Sequence, residues 1–337
     1  MNDESLIDNQ SIDQATELVG VFKQRMDDIR EQVGRAVVGQ DYVVEQLLVT
    51  LLVGGHCLLT GMPGTAKTLL VKTLSDSLGL KFNRVQFTPD LMPVDITGTD
   101  IIEESPDGRS WKFIPGPLFA NVVLADEINR TPPKTQSALL EAMQEGTVTV
   151  RGTNYDLGKP YFVLATQNPI ELEGTYPLPE AQLDRFLFNV TLDYLSPEDE
   201  LEVLSRYTTK VELPEIKPCT NVEEILQFQK LVREVPISDE ISQLAVNIVR
   251  ATRPSDELAT DMVKKYINHG ASVRATMALT LASKARALLE GRYHVTKGDL
   301  AALAAPVMRH RILANYYAES DGVDADVVIN DLVNTLS

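Results

Sequence analysis

Two short segments constrain the fold of this chain more than any other part of its sequence. Residues 61–68 read GMPGTAKT, and residues 122–127 read VVLADE. The first pattern is typical of a loop that cradles phosphates, and the second of an apolar strand that ends in two carboxylates. Each pattern alone would be a weak signal. Together and in this order, they predict a P-loop nucleoside triphosphatase core of the α/β class, which binds and hydrolyses ATP.

The loop over residues 61–68 supplies the groups that phosphates need. Gly61 and Gly64 allow its N–H groups to face the phosphates, and the following helix adds the positive end of its dipole. Lys67 is placed to reach the β- and γ-phosphates, and Thr68 to ligate Mg²⁺. The alternative, a chance glycine–proline turn, is disfavoured because a strand precedes the loop and a helix follows it. The predicted nucleotide contacts here are Gly61, Pro63, Gly64, Thr65, Ala66, Lys67, Thr68 and Leu69.

The second segment ends in a pair of carboxylates with separate predicted roles. Asp126 is expected to hold Mg²⁺ through water, in a site shared with Thr68. Glu127 is the candidate general base, which polarises the water that attacks the γ-phosphate. Alone, such an acid could equally cap the next segment, but the phosphate loop upstream favours catalysis. The four histidines lie apart without ligand spacing, so Mg²⁺ is expected only with the nucleotide.

The composition limits the partners and the compartment. The net charge is −17, and this acidity disfavours general affinity for DNA or RNA, whose phosphates are bound by clustered Lys and Arg. Cys57 and Cys219 form neither a CxxC motif nor a disulfide framework. The acidic N-terminus is not a signal peptide, and the apolar run over residues 47–59 is too short and polar to span a bilayer. We therefore expect a cytoplasmic protein without membrane insertion.

Short apolar runs alternate with helical patterns through the first part of the chain. Nearly continuous apolar runs are typical of parallel strands that are buried on both faces of a sheet. This alternation predicts a doubly wound α/β layer. The predicted strands cover residues 56–60, 81–87, 121–125, 161–166 and 188–192, and the predicted helices cover 41–53, 67–78 and 135–145.

The remaining pattern predicts the domain organisation. Apolar residues at helical spacing precede the core, and Gly34 is expected to close that helix after a frayed acidic tail over residues 1–12. Beyond Pro197, helical spacing continues to the end, as over residues 222–235, 240–252 and 273–290. The predicted parts are an N-terminal tail and helix over residues 1–36, an αβα nucleotide-binding core over 37–195 and an all-helical lid domain over 196–337.

Two insertions interrupt the predicted core. Residues 88–118 are rich in Pro, Gly and Asp and contain strand-like pieces at residues 100–102 and 111–114. Residues 147–158 predict a hairpin with its turn at residues 151–153. Trp111, the only tryptophan, lies in the first insertion, where it is either an anchor for a partner or part of a local core.

Several longer runs of residues identify a family. They are DEINRTPPKTQ over residues 126–136, QFTPDLMP over 86–93, GPLFA over 116–120, ATQNP over 165–169, PEAQLDRF over 179–186 and GASVRA over 270–275. In this order they resemble the MoxR family of AAA+ ATPases, and the resemblance covers roughly residue 38 to the C-terminus. The family's own variant loop also has alanine where Ala66 stands. The resemblance implies a doubly wound parallel sheet with helical insertions, followed by a small all-α lid domain.

The resemblance also implies roles for residues outside the two opening segments. Asn168 resembles the sensor-1 residue that bonds the attacking water or the γ-phosphate; the alternative is a buried structural Asn. Arg185 resembles an arginine finger that reaches a neighbouring subunit's γ-phosphate; the alternative is an ion pair with Asp184. Arg274 resembles sensor 2 in the first turn of a lid helix; the alternative is a solvated helix-end arginine. Residues 38–40 resemble the segment that packs on adenine, with Val38 giving apolar contact and Gly39 reading the base through its backbone, or they are a plain helix entry.

An arginine finger that acts on a neighbour implies a ring, expected to be a hexamer with ATP and Mg²⁺ at the subunit interfaces. The resemblance implies a chaperone-like role, in which ATP hydrolysis to ADP remodels, matures or activates protein complexes. The partners of such ATPases often carry a von Willebrand factor A domain.

Other functions remain open from the residues alone. A nucleic-acid motor related to the MCM helicases is disfavoured by the acidity and by the lack of a zinc-binding cysteine set. A nucleotide-gated scaffold that barely turns over is disfavoured because Glu127, Asn168 and Arg185 are all present. The sequence does not exclude the motor subunit of a metal chelatase.

Overall fold

Helices and strands alternate up to residue 195, in the order that the sequence predicts. The computed structural model describes residues 4–62, 64–105, 108–168, 174–208 and 214–336. In chain order the first elements are α1 (Glu4–Ala36), α2 (Asp41–Val53), β1 (Cys57–Gly61), α3 (Lys67–Ser77), β2 (Phe82–Gln86), α4 (Pro93–Thr97), β3 (Gly98–Ser105), β4 (Gly108–Pro115), β5 (Val122–Asp126), a 3-10 helix (Ile128–Arg130), α5 (Pro133–Glu145), β6 (Thr147–Val150), β7 (Thr153–Asp156), β8 (Phe162–Gln167), α6 (Glu180–Leu183) and β9 (Phe188–Leu192).

The central layer is one parallel sheet of five strands in the order β2-β5-β8-β1-β9. Gln86 lies opposite Asp126 in the β2–β5 pair, and Ala125 lies opposite Ala165 in the β5–β8 pair. Because these strands run in the same direction, their carboxyl ends meet at one edge of the sheet. The residues that follow β1, β5 and β8 are therefore neighbours, although they are far apart in sequence. The predicted strands are confirmed, with differences only at their ends.

Alternation along each strand divides the core between the two faces of the sheet. In β1, Leu58 and Leu59 are both buried but belong to different apolar clusters. Val123 and Leu124 divide in the same way in β5, because successive side chains of a strand point to opposite faces. The face of Leu124 also packs against α3 through residues such as Leu70. Asp126, at the end of β5, is two residues after Leu124 and lies on the same face. Its side chain therefore points toward the first turn of α3.

The N-terminal helix differs from the sequence prediction at both ends. A frayed tail was expected over residues 1–12, but α1 already begins at Glu4, and no glycine or proline interrupts the chain before Gly20. Gly34 was expected to end the helix, and that prediction is wrong, because α1 continues to Ala36. The exposed carbonyls of its last turn are satisfied from α7, a helix defined below: Arg206 donates to the carbonyls of Gly34 and Arg35 at 3.0 Å each.

The insertions form two β-hairpins and one short helix. The first carries α4 and then pairs β3 with β4, and the second pairs β6 with β7 across the turn at Arg151 and Gly152. The rings of Phe113 and Tyr155 stack with their centroids 3.9 Å apart, so the two hairpins pack on each other. The expected strand-like pieces and the expected hairpin are therefore both present, and in the described part of the insertions the only helix is α4.

The chain continues after β9 as a mainly helical region. Its elements are α7 (Pro197–Thr208), α8 (Val222–Glu234), α9 (Asp239–Ala251), α10 (Asp261–Tyr266), β10 (Ile267–His269), α11 (Val273–Leu289), α12 (Lys297–Met308), β11 (Leu313–Ala314), α13 (Tyr316–Asp321) and α14 (Ala325–Leu336). An all-helical region was expected, but β10 and β11 form a small antiparallel pair. Within the described ranges, no helix combines the length and the apolarity that crossing a bilayer requires. The boundary at residue 196 stays a prediction.

One buried carboxylate joins the C-terminal helices to the core. Asp299, in the first turn of α12, is 0% exposed and accepts hydrogen bonds from Arg292 at 2.6 Å and from Arg286 at 2.8 Å. Arg286 of α11 also pairs with Glu45 of α2 at 3.2 Å. Burial by itself would raise the pKa of Asp299, but the bonds from Arg292, Thr296 and Arg286 outweigh it and lower this pKa to about 2.

We expect Asp299→Asn to lower the free energy of unfolding by about 3–5 kcal/mol, because it leaves two guanidinium groups without their buried anion. Urea denaturation measures the loss. Asp193→Asn, at an exposed carboxylate, is the control and should change little. Since the folded pKa is depressed, the wild-type contribution is present above about pH 4, the unfolded pKa of Asp, and is lost as the pH falls toward 2. Equal stabilities of both variants would contradict this assignment.

Candidate functional site

A cavity of about 300 Å³ lies at the edge of the sheet where β1, β5 and β8 end. It brings together residues from all three strand ends and from the first turn of α3. Its lining residues are Met62, Gly64, Thr65, Ala66, Lys67, Thr68, Leu69, Asp126, Glu127, Thr166 and Asn168. The loop before α3 and the carboxylates after β5 therefore face each other across one cavity.

The loop between β1 and α3 has the conformation that exposes backbone N–H groups. Gly64 has a φ of 86° and Ala66 a φ of 56°, so both lie in the left-handed region. Ala66 is the N-cap of α3, and it supplies no side-chain cap. The first turn of α3 also contains no acidic residue, so no side chain of the helix itself competes for the N–H groups and the positive dipole end that are directed at the cavity. Pro63 lies outside the described residues.

Lys67 begins α3 and lines the cavity. Partial burial lowers the pKa of its ammonium, and the negative charges of Asp126 and Glu127 partly offset this effect. The ammonium donates to the carbonyl of Gly61. A cation in this setting gains from an anionic ligand, and phosphates fit both its charge and the uncapped N–H groups beside it.

Gly61 has a structural role that the sequence did not predict. Gly61 is the last residue of β1 and is not among the residues that line the cavity, so its predicted role of turning the backbone toward phosphates stays a prediction. A Cβ at this position would lie 2.7 Å from the carbonyl oxygen of Leu192 in β9. The glycine therefore permits the close approach of β1 to β9, and only its carbonyl reaches Lys67.

Asp126 is held on both of its carboxylate oxygens. The hydroxyl of Thr166 donates to Oδ1 at 2.7 Å. The guanidinium of Arg84 donates to Oδ2 from Nη2 at 2.6 Å and from Nε at 3.1 Å. Asp126 is 14% exposed and lines the cavity together with Thr68, so both expected Mg²⁺ ligands are present in one place. No cluster of three or more His, Cys, Asp or Glu side chains elsewhere in the described ranges could hold a metal ion.

Glu127 follows Asp126 in an unusual backbone conformation. Its φ of 57° is left-handed, which is rare for a residue with a side chain and is often found at functional sites. Its backbone N–H donates to Thr166 Oγ1 at 2.8 Å. Its carboxylate Oε2 accepts from the amide of Gln86 at 2.6 Å and pairs with Arg130 at 3.2 Å. These contacts fix the carboxylate at the mouth of the cavity.

A second cavity of about 350 Å³ continues from the first and shares the loop residues with it. It is more apolar than the first cavity, as pockets for organic ligands commonly are. Its lining residues are Ala36, Val37, Val38, Gln40, Gly64, Thr65, Ala66, Leu69, Tyr194, Leu195, Glu200, Val203 and Tyr207. Val38 is there as predicted. Gly39 is not part of the lining; its φ is 69°, and a Cβ would lie 2.5 Å from Asp199 Oδ2.

Asn168, Arg185 and Arg274 are placed differently from one another. Asn168 is 8% exposed and lines the first cavity together with Glu127. Arg185 is exposed, donates to the carbonyl of Leu140 at 3.1 Å and does not line the cavity of its own chain. Arg274 is 62% exposed and pairs weakly with Asp184 at 3.4 Å, also outside that cavity.

Asp184 is bound mainly by Arg311, a residue that the sequence argument did not single out. Arg311 is 4% exposed and donates to Asp184 Oδ1 at 2.7 Å. It also donates to the carbonyls of Phe186 and Leu187. In place of the ion pair between Asp184 and Arg185, which was the alternative to a finger, the structure shows a pair between Asp184 and Arg311 in the turn that follows α12.

Sequence reasoning also missed Arg84, Gln86 and Thr166. Gln86 and Thr166 lie within the runs of residues that resemble the family. The sequence therefore pointed to these two positions but did not indicate what their side chains do. Arg84 had no such signal: it is one of three polar residues in β2, beside Asn83 and Gln86. Its register on β2 places it on the same face as Asp126.

The five-stranded parallel sheet, the loop before α3 and the carboxylates after β5 define a P-loop nucleoside triphosphatase fold. Residues 56–188 match the family described as "ATPase family associated with various cellular activities (AAA)", and residues 259–332 match the AAA lid domain. A crystal structure of a protein from Cytophaga hutchinsonii superposes with a TM-score of 0.89 at 40% identity, covering 96% of this chain and 98% of that one.

Relatives define the family further. Chaperone MoxR1 of Mycobacterium tuberculosis is 42% identical over 306 residues, which is 91% of this chain and 80% of that protein. Uncharacterized protein YeaC of Bacillus subtilis is 42% identical over 308 residues, covering 91% and 92%. Protein MoxR of Paracoccus denitrificans is 31% identical over 309 residues, covering 86% and 88%. The chain belongs to the MoxR family of AAA+ ATPases.

Proposed function

We propose that this chain hydrolyses ATP with Mg²⁺ and uses the energy as a chaperone-like remodeller of protein complexes. The observation that carries the proposal is the single cavity that Lys67, Asp126, Glu127 and Asn168 line together. Its anion-binding wall comes from α3, and its carboxylate wall comes from the end of β5. This combination serves phosphoryl transfer, in which positioning and charge stabilisation supply most of the catalysis.

Nucleotide binding would use both cavities. The uncapped N–H groups of α3 and the ammonium of Lys67 take the phosphates, and the apolar cavity beside Val38 takes the base. Thr68 and Asp126 would hold Mg²⁺, which when bound neutralises charge on the phosphates. Gly39, next to Val38, would read the edge of the base through its backbone, as the family resemblance implies.

Hydrolysis would rest on Glu127 as general base. Gln86 and Arg130 both bind its Oε2 and hold the carboxylate that would accept the proton of the attacking water. Asn168, buried beside it, would orient that water or bond the γ-phosphate. The left-handed backbone at Glu127 sets the direction in which its carboxylate points.

A ring of subunits would complete the site. Arg185 is exposed and lies outside the cavity of its own chain, which suits a finger that reaches a neighbour's γ-phosphate. Asp184 beside it is committed to Arg311, so the guanidinium of Arg185 is not neutralised by that carboxylate. Arg274 would act as sensor 2 when nucleotide binding moves the lid region. We propose a hexamer with ATP at its interfaces.

The remodelling role rests on relatives and on an exposed surface. One relative is named a chaperone. On the first hairpin, Ile102 is 53% exposed and Trp111 is 60% exposed, so Trp111 is not part of a local core. Exposed apolar side chains of this kind suit contact with a protein client, and a von Willebrand factor A domain protein is the client class we propose. Both cysteines are free, in keeping with a cytoplasmic location.

Lys67→Ala should abolish tight ATP binding, because the ammonium is the side-chain cation at the phosphate wall of the cavity. Binding of a fluorescent ATP analogue measures this loss. Lys72→Ala is the matched control, since Lys72 lies on the same helix but pairs with Asp76 at 2.7 Å away from the cavity. Normal binding by Lys67→Ala would overturn the assignment of the phosphate loop.

Glu127→Gln should bind ATP but hydrolyse it about 10²–10⁴-fold more slowly, as expected for the loss of a general base. Phosphate release at saturating ATP is the measurement. Glu141→Gln, an exposed change on α5, should keep the wild-type rate. Unchanged turnover in Glu127→Gln would remove Glu127 from the mechanism.

Arg185→Ala should lose turnover and regain part of it when it is mixed with Lys67→Ala subunits. The second variant cannot bind ATP tightly but supplies an intact Arg185 to the neighbouring site. ATPase rates across mixing ratios, with Arg109→Ala as an exposed-arginine control, test the idea. Failure to recover activity at any ratio would argue against a finger that acts between subunits.

A further inference from the structure

Arg84 has no part in the scheme above, yet it makes the strongest contact of Asp126. Its Nη2 and Nε both donate to Asp126 Oδ2, at 2.6 Å and 3.1 Å. Thr166 donates to the other oxygen, Oδ1, at 2.7 Å. A carboxylate offers about four lone-pair sites, and these three bonds occupy most of them. Three acceptor sites of the residue expected to hold Mg²⁺ are thus already occupied by groups of its own chain.

We propose that Arg84 is a resident counter-ion of Asp126, which occupies Oδ2 until Mg²⁺ and nucleotide arrive and then gives up that oxygen. The proposal rests on the assignment of the cavity to ATP and Mg²⁺ made above. It makes Arg84 a positioning residue that sets how tightly the metal is held, not a residue that touches the reacting atoms.

The charges around Asp126 explain why a resident cation matters. Arg84 neutralises this carboxylate from one side, and the ammonium of Lys67 is close enough on the other side to feel its charge. A divalent cation that entered alone would meet the positive charges of Lys67 and Arg84, and both carboxylates of the cavity, Asp126 and Glu127, would already be paired with arginines. A cation that enters with the phosphates brings compensating negative charge. The pair therefore favours arrival of the metal together with the nucleotide.

The separation of Arg84 from Asp126 requires little free energy because of where Arg84 lies. It lies on the edge strand β2, and its side chain is 44% exposed, so water can solvate the guanidinium as it leaves. The same Nη2 also donates to Gln86 Oε1 at 2.6 Å, which gives it a partner outside Asp126. Arg311 is the contrasting case: it is 4% exposed and bonds several carbonyls, as a permanent anchor should.

A purely structural role would be to hold the edge strand in place. The backbone already does this, because β2 and β5 pair along their whole length from Phe82–Val122 to Gln86–Asp126. An exposed side-chain pair adds little to such a ladder. The two side chains instead meet on the face that carries α3, where the phosphates would lie.

The test measures metal binding directly, with Mn²⁺ as the probe and its electron paramagnetic resonance signal as the readout. Each protein is saturated with a non-hydrolysable ATP analogue and titrated with Mn²⁺. Arg84→Gln should bind Mn²⁺ about threefold to tenfold more tightly than the wild type, the size expected of one partly screened charge. Arg84→Lys keeps the charge and should stay within about twofold of the wild type. Arg109→Gln, which removes an equal charge on β4, should not differ from the wild type.

Unchanged or weaker Mn²⁺ binding by Arg84→Gln would overturn the proposal, as would an equal gain in Arg109→Gln. A structure of the wild type with Mg²⁺ and the analogue needs no variant: we expect Arg84 to have left Oδ2, and its retention there would overturn the proposal. If the wild-type protein did not bind the ATP analogue at all, in contrast, the proposed ATPase function itself would be contradicted.

Discussion

The parallel pairing of β1, β5 and β8 is the constraint on which the rest of the site depends. Their common direction brings three strand ends to one edge, and the alternation of side chains directs Asp126 toward the face that carries α3. A shift of β5 by one residue would turn Asp126 to the opposite face and expose part of a buried layer. The geometry of the cavity is therefore set by the same apolar packing that stabilises the sheet.

Much of this arrangement could be predicted from the sequence, because its signals are local. The run over residues 61–68 predicts a loop, a buried strand before it and a helix after it, and all three are present. The carboxylates after β5 carry a signal of the same kind. The end of α1 was predicted wrongly because it depends on a contact that is distant in sequence. Gly34 is a local stop signal, but Arg206 of α7 satisfies the carbonyls of Gly34 and Arg35. No pattern within α1 contains that information.

The same distinction separates the site residues that were predicted from those that were missed. Lys67 and Asp126 belong to short motifs with known chemistry. Arg84 and Arg311 act through partners that are distant in sequence, Asp126 and Asp184. Such pairs depend on strand register and on helix docking, which a single sequence does not specify. Gly61 is an intermediate case, since its position was predicted but its reason, the approach of β9, was not.

The contact between the two hairpins has a structural consequence. Phe113 stacks on Tyr155, and the guanidinium of Arg151 lies 4.2 Å from the centre of the Trp111 ring. The second hairpin connects α5, which follows Glu127, directly to β8, which leads to Asn168. These two contacts therefore connect the exposed Trp111 to the chain segments that lead to Glu127 and Asn168, both of which line the cavity.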